Sequence, residues 1–195
     1  MDDIQEAKRE FRVATLEKLE ALEEEERLQL THEVEERLFE FANFLESRIV
    51  MLYINNVGEV PSKGIIDRSH EMGKIIVLPA FDTNKYEMKL MKIDHPDKDL
   101  VKGQRGILEP NPSRCKRVPI DCIDIAIIPS VVLDEKGGRI GSGEGYYDRL
   151  IPNLPITTRK VALAFDFQVV GQVPMESHDK YIDIIVTDKR TIYKI

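Results

Sequence analysis

The sequence predicts an α/β protein, a three-layer sandwich with a mainly parallel sheet and a helical segment at its N-terminus. Three observations lead there. Residues 3 to about 46 contain no Gly or Pro and carry apolar residues at helical spacing. Short β-branched apolar runs then recur, separated by helix and turn signals. Five of the eleven glycines fall within the nine residues 137–145, soon after the apolar run I-D-I-A-I-I-P at 123–129.

Phe11, Ala14, Leu16 and Leu19, followed by Leu28, Val34, Leu38 and Phe41, mark two amphipathic helices or one bent helix. The break is expected near Glu23–Glu26, whose four acids read as a solvated face. Arg48–Ile54 reads as a strand. Pro61-Ser62 opens a helix that stops at Gly73, and Lys74–Leu78 forms a second strand ending at Pro79, which completes a βαβ unit. Met88–Ile93 is another strand, and residues 94–120 are rich in Pro, Gly and charge. Ile123–Ile128 resumes the buried sheet, Gly145–Ile151 opens a helix, and Val161–Phe165 and Ile182–Val186 are short strands. T-I-Y-K-I supplies an edge strand. The 195 residues fit one domain, 1–195, with the helices of 1–46 packed on it.

Composition narrows the function. A formal charge of -7 disfavours nonspecific nucleic-acid binding, which needs a positive surface. No stretch approaches the roughly 20 apolar residues that span a bilayer, and M-D-D-I-Q-E lacks the regions of a signal peptide, so a cytoplasmic location away from membranes is expected. Cys115 and Cys122 have neither redox nor zinc-ribbon spacing and read as reduced thiols. His32, His70, His95 and His178 occur singly, which argues against a zinc enzyme.

The stretch from Asp134 to Arg149, D-E-K-G-G-R-I-G-S-G-E-G-Y-Y-D-R, needs a cause, because each glycine costs backbone entropy on folding. Free amides in such a loop can converge on phosphate oxygens, with charge from Arg139 and Arg149 and a metal held by Asp148. It has neither the G-x-x-x-x-G-K-[ST] nor the G-x-G-x-x-G spacing. Taken alone, a phosphate site and a tight structural loop stand about even. The preceding strand tips the balance toward a ligand, because open α/β sheets bind ligands at the ends of their strands.

The segment D134-x-x-G137-x-R139-I140-G141-x-G143-x-G145-Y146-Y147-D148 resembles the ATP-binding signature of the 5-formyltetrahydrofolate cyclo-ligase family, also called 5,10-methenyltetrahydrofolate synthetase. The likeness extends to G-I-L-E-P (106–110), A-L-A-F-D-F-Q (162–168), V-P-M-E-S-H-D (173–179) with Asp183, and Lys8 and Arg12 in K-x-x-x-R spacing. It covers essentially the whole chain in one order. The resemblance implies a fold similar to the sugar-phosphate isomerase and CoA-transferase group and a monomer. It also implies an ATP-dependent ring closure with Mg2+ as cofactor: the formyl oxygen of 5-formyltetrahydrofolate is phosphorylated, N10 attacks, and phosphate leaves to give 5,10-methenyltetrahydrofolate and ADP.

By the same resemblance, ATP is bound by Lys8, Arg12, Arg139, Ile140, Gly141, Ser142, Gly143, Glu144, Gly145, Tyr146 and Tyr147. The folate is bound by Ile54 and Glu59 with Ser142, Gly143, Gly145 and Tyr146, and Tyr53 helps to wall its pocket. Arg139 and Tyr146 are the catalytic candidates, and Asp148 and Asp179 are the Mg2+ ligands. Lys8 and Arg12 lie one helical turn apart and share a face. Plainer readings stand beside these: surface ion pairs for Lys8 and Arg12, a helix cap or Arg149 partner for Asp148, solvated loop acids for Glu59 and Asp179, core packing for the tyrosines. Three departures stand out. Leu133 replaces a usual Phe, Ala80 stands where an Arg is frequent, and Glu144 puts a negative charge in the loop, weakening triphosphate attraction unless it points outward. Two further readings are a non-catalytic ATP or folate binder, and a ligase acting on another small metabolite.

Overall fold

The structure is a computed structural model that describes residues 2–194. Its first half runs α1 (Asp2–Glu20), α2 (Glu24–Glu40), α3 (Ala42–Glu46), β1 (Ile49–Met51), α4 (Lys63–Glu71), β2 (Ile75–Asp82), β3 (Glu87–Ile93), β4 (Leu100–Lys102), β5 (Leu108–Pro110) and β6 (Lys116–Arg117). There follow β7 (Ile125–Ile128), β8 (Val132–Asp134), β9 (Arg139–Ile140), α5 (Tyr146–Leu150), β10 (Arg159–Leu163), β11 (Val169–Val170), β12 (Ile184–Val186) and β13 (Thr191–Tyr193). No helix among the described residues is long and apolar enough to cross a membrane.

Eight strands form the main sheet in the order β13-β12-β10-β7-β1-β2-β3-β6. The five central strands are parallel, and β13, β3 and β6 join antiparallel at the edges. Side chains alternate across the central strands. Val50, Ile76, Leu78, Ile125, Ile127, Val161 and Leu163 face α2, α3 and α4, where they meet Val34, Leu38, Phe44 and Ile65. Met51, Val77, Ala126, Ile128 and Ala162 face the other way, toward Leu150, Ile151 and Leu154. Because a parallel sheet is covered on both faces, both sets must be apolar, which is why these strands read as continuous hydrophobic runs.

The N-terminal helices form as the pattern predicts, with the turn at Ala21–Glu23 and a second break at Phe41. Ala14 and Leu28 are exposed, so they do not belong to the packed stripe. In α2, Arg37 donates from Nε to the Thr187 carbonyl at 2.9 Å, which ties the helix to the end of β12. The expected stop of the second strand at Pro79 is corrected, because β2 runs on to Asp82. The Val77 carbonyl accepts from the Leu52 amide at 2.9 Å and so points toward β1. Two residues on, Pro79 points the same way, past the end of β1, so its missing N–H removes no ladder bond. On that side the Phe81 amide donates instead to Glu109 Oε2 at 3.0 Å. The first strand is correspondingly shorter than 48–54.

The proline- and glycine-rich region contains the β4–β5 hairpin and β6, and a three-stranded sheet, β11-β8-β9, flanks the glycine loop. Phe11 of α1 packs on that small sheet with Val131, Val132, Ile140 and Val173. This contact sets α1 beside the loop.

Candidate active site at the sheet switch point

Chain order reverses between β1 and β7. From β1 the chain proceeds to β2 on one side, then returns through β7 to β10 and β12 on the other. Loops leaving the carboxyl ends of two such strands diverge and leave a crevice. Here the β1 loop carries Glu59, and β7 leads through Pro129 to β8, β9 and the glycine loop. The crevice is a cleft of about 640 Å³, open mouth included. Lys8, Arg12, Glu59, Asp148, Asp179 and every residue from Arg139 to Tyr147 line it. Ile54 does not; it lines an adjoining cavity of about 330 Å³. Glu59, Phe81, Arg105, Pro129, Ser142 and Tyr147 are common to both walls.

Four cations stand along the cleft, Lys8, Arg12, Arg105 and Arg139. Lys8 is buried, and its Nζ lies 2.8 Å from Glu176 Oε2 and 2.5 Å from Asp179 Oδ2. Burial opposes its charge, yet the two carboxylates hold its pKa above the ordinary lysine value. Arg12 donates from Nε to the Gly141 carbonyl at 2.8 Å, so α1 grips the glycine loop directly. Burial lowers its pKa, with the neighbouring Arg139 adding to the effect and the Asp179 carboxylate opposing it. Arg139 is buried, donates to the Pro129 carbonyl at 3.2 Å and to Asp148 Oδ1 at 2.9 Å, and keeps a buried Nε with no partner among the described residues.

Backbone form follows from composition in this loop. Gly143 and Gly145 have φ of 109° and 69°, values that side-chain-bearing residues adopt at a cost. A Cβ at Gly141 would stand 2.6 Å from Arg139 Nη1. Arg139 can therefore reach Pro129 and Asp148 only past a bare backbone. Gly145 caps α5, which starts at Tyr146.

The aromatic wall is built from separate segments. Tyr146 meets Phe81 edge-on with centroids 4.9 Å apart and stacks toward Tyr86 at 6.2 Å. The Arg105 guanidinium lies 4.1 Å from the Phe81 ring centroid and 5.4 Å from that of Tyr146. Arg105 also forms a forked ion pair with Glu144, with Nε to Oε1 at 3.0 Å. The negative charge in the loop is thus matched by a cation that sequence reasoning missed. Its only signal was position, directly before G-I-L-E-P. Arg149, expected to add charge to a phosphate site, is exposed and lies over Tyr86 at 5.4 Å, outside the cleft lining. Ala80 is half-buried within β2, and Leu133 is fully buried in the core beneath the sheet.

Glu59 is buried, and its Oε2 accepts from the Asn56 amide at 2.7 Å. Burial pushes its carboxyl up to about 7, against the pull of that amide, Arg105 and Arg139. Tyr147 is half-buried, and desolvation with the nearby Glu59 charge raises its hydroxyl far above the ordinary tyrosine value. Tyr53 lies under this region, its hydroxyl donating to the Val60 carbonyl at 2.9 Å.

The two carboxylates expected to share a metal have different neighbours. Asp179 converges with Glu176 and His178, their ligand atoms all within 4.8 Å of one another, whereas Asp148 stands with Arg139 and accepts from the Lys180 amide at 3.1 Å. Each uses one oxygen, Asp148 Oδ1 and Asp179 Oδ2, for a cation and an amide. The second oxygen of Asp148 accepts no hydrogen bond among the described residues, and that of Asp179 stands 3.5 Å from His178 Nε2. Such donors suit a hard cation beside phosphates.

The sequence profile of the 5-formyltetrahydrofolate cyclo-ligase family matches residues 4–188. The chain belongs to that family. A probable 5-formyltetrahydrofolate cyclo-ligase of Caenorhabditis elegans is 30% identical over 206 residues, covering 98% of each chain. The 5-formyltetrahydrofolate cyclo-ligase of Haemophilus influenzae is 32% identical, covering 80% of this chain and 86% of its own. Among solved structures, a 5,10-methenyltetrahydrofolate synthetase from Aquifex aeolicus superposes with a TM-score of 0.82 at 32% identity, covering 96% of this chain and 92% of that one. A synthetase from Mycoplasma pneumoniae, at 21% identity and TM-score 0.73, shares the fold. The cyclo-ligase family profile spans both Lys8 on α1 and Asp179, so the segments that meet at the cleft all fall inside the match.

Proposed function

We propose that this chain uses ATP to convert 5-formyltetrahydrofolate into 5,10-methenyltetrahydrofolate, releasing ADP and phosphate. The observation that carries the reading is the pair of joined cavities, one lined by Lys8, Arg12, Arg139 and the glycine loop, the other walled by Ile54, Glu59 and Tyr147. A triphosphate in the first and a reduced pterin in the second meet at their shared wall.

The chemistry gives the residues their work. A formyl oxygen leaves poorly as oxide and well as phosphate. Transfer of the γ-phosphoryl group to that oxygen needs positioning and charge neutralisation more than covalent help. N10 then bonds to the activated carbon and loses its proton, the carbon–oxygen bond breaks, and phosphate departs. Lys8, Arg12 and the amides of Gly141, Ser142, Gly143 and Gly145 hold the phosphate chain. Arg139 offers a fixed fork to the transferring group. Tyr146 and Tyr147 wall the junction and exclude water. Glu59, with Ile54, binds the pterin, whose N–H groups a carboxylate accepts in pairs.

Asp148 and Asp179 are the residues that would hold Mg2+, each with an oxygen to spare. Bound there, the ion would offset the negative charge of the triphosphate.

Incubation with 5-formyltetrahydrofolate, ATP and Mg2+ tests the proposal, with methenyl absorbance and ADP rising in equal amounts as the expected result. Binding of both ligands with neither product formed would remove it. ATP consumption stimulated by another small metabolite and not by the folate would redirect it.

A further inference from the structure

Arg105 has no part in the scheme above, yet it stands where the two cavities join. It comes from the turn between β4 and β5, far from the glycine loop in sequence. Its side chain is 11% exposed, while that of its partner Glu144 is 42% exposed. A guanidinium held this deeply needs a counter-charge, and the one it has is carried by the loop that would receive a polyanion.

The other two arginines of the cleft are anchored through part of their donor set, Arg12 to the Gly141 carbonyl and Arg139 to Pro129 and Asp148, which leaves their remaining N–H groups for phosphate. Arg105 is tied instead to a side chain at the solvent edge. A triphosphate entering beside Glu144 repels that carboxylate and offers oxygens that fit the same fork of donors. The exchange leaves Arg105 compensated throughout. Phe81 and Tyr146 keep the guanidinium over their rings while its partner changes.

Resting on the reading of the cleft as an ATP site, we propose that Arg105 is a further catalytic cation, parked on Glu144 in the free protein and handed to the phosphoryl group at the junction of the two cavities when ATP binds. Glu144 in the loop is then the counter-ion that keeps a buried cation in place between turnovers.

The test uses the full chain as wild type, Arg105→Ala, Glu144→Gln, the double variant and Arg105→Lys. ATP affinity is measured by calorimetry at saturating Mg2+. If ATP binding breaks the pair, the affinities are not additive. The product of the wild-type and double-variant Kd values exceeds that of the two single variants by about 3- to 5-fold, the scale of a part-exposed ion pair. A ratio of one means that the pair persists in the complex and overturns the exchange. In turnover, Arg105→Ala lowers kcat by about 10²-fold, as loss of a transition-state donor does, with the folate Kd within about 3-fold of wild type and partial recovery in Arg105→Lys. A lowered Tm with unchanged kcat would make Arg105 a structural strut and overturn its catalytic role. Wild-type protein that fails to form the methenyl product removes the proposed reaction instead, and the affinity ratio still decides the exchange.

Discussion

Arg139 Nη2 donates to Asp148 Oδ1 at 2.9 Å across the glycine loop, and this bond joins the strand that enters the loop to the helix that leaves it. Arg139 is almost wholly buried, so the pair has opposite weights on its two sides. Replacing Arg139 by Met strands a half-buried carboxylate. We expect kcat to fall by about 10²- to 10³-fold, and stability to fall by about 3 kcal/mol, the latter read from urea unfolding. Activity within a few-fold of wild type would place the phosphoryl group elsewhere.

Asp148→Asn keeps an oxygen for Arg139 and removes the charge. The fold survives in this variant, and turnover at limiting Mg2+ falls by about 10-fold or more, with partial recovery at high Mg2+. Equal activity in variant and wild type at limiting Mg2+ would take Asp148 out of the metal site.

Glu59 makes stability depend on pH. Its carboxyl is raised from the ordinary 4.5 to about 7 by burial. Between those values the folded protein binds the proton and the unfolded chain does not, so stability declines as pH rises from 4.5 through about 7 and is level beyond. Tyr53, Tyr147 and Glu144 face this group as well as Arg105 and Arg139. Glu59→Gln retains the acceptor for the Asn56 amide and removes the slope, so the variant gains a few kcal/mol over wild type at pH 8. Its folate affinity drops. Parallel urea midpoints for the two proteins across pH 5 to 8 would rule this out.

Gly141→Ala tests the bare backbone. A Cβ 2.6 Å from Arg139 Nη1 cannot be met by a free swing of the side chain, because Pro129 and Asp148 fix its end. Thermal midpoint falls, because the Arg139–Asp148 bond is strained, kcat falls by about 10-fold or more, and folate affinity is kept, since a displaced donor is felt mostly in the transition state. An unchanged kcat would show that Arg139 has room to move.

Much of this architecture was legible in the residues. Period and punctuation located the central strands because Ile125–Ile128 and residues 76–78 are buried on both faces and admit only apolar residues. The glycine cluster announced a close approach, and the spacing of Lys8 and Arg12 put both on the face of α1 that meets it. Other parts were not legible because they depend on pairing at a distance. Pro79 punctuates a strand only where its missing donor would have had a partner, and the end of β1 removes that partner. Arg105 is one charge in a loop-rich stretch until Glu144, 39 residues on, comes within reach. Asp148 and Asp179 look alike in sequence, yet one pairs with an arginine and the other joins Glu176 and His178.

The opening helix packs on the small flanking sheet and lends the cleft two of its cations from there. Nucleotide and helix therefore hold each other: whatever affinity ATP draws from Lys8 and Arg12 is returned as protection of residues 2–20. Amide exchange in this helix should slow on adding nucleotide while the central strands keep their rates. A chain lacking it would keep its folded sheet and lose its hold on the triphosphate.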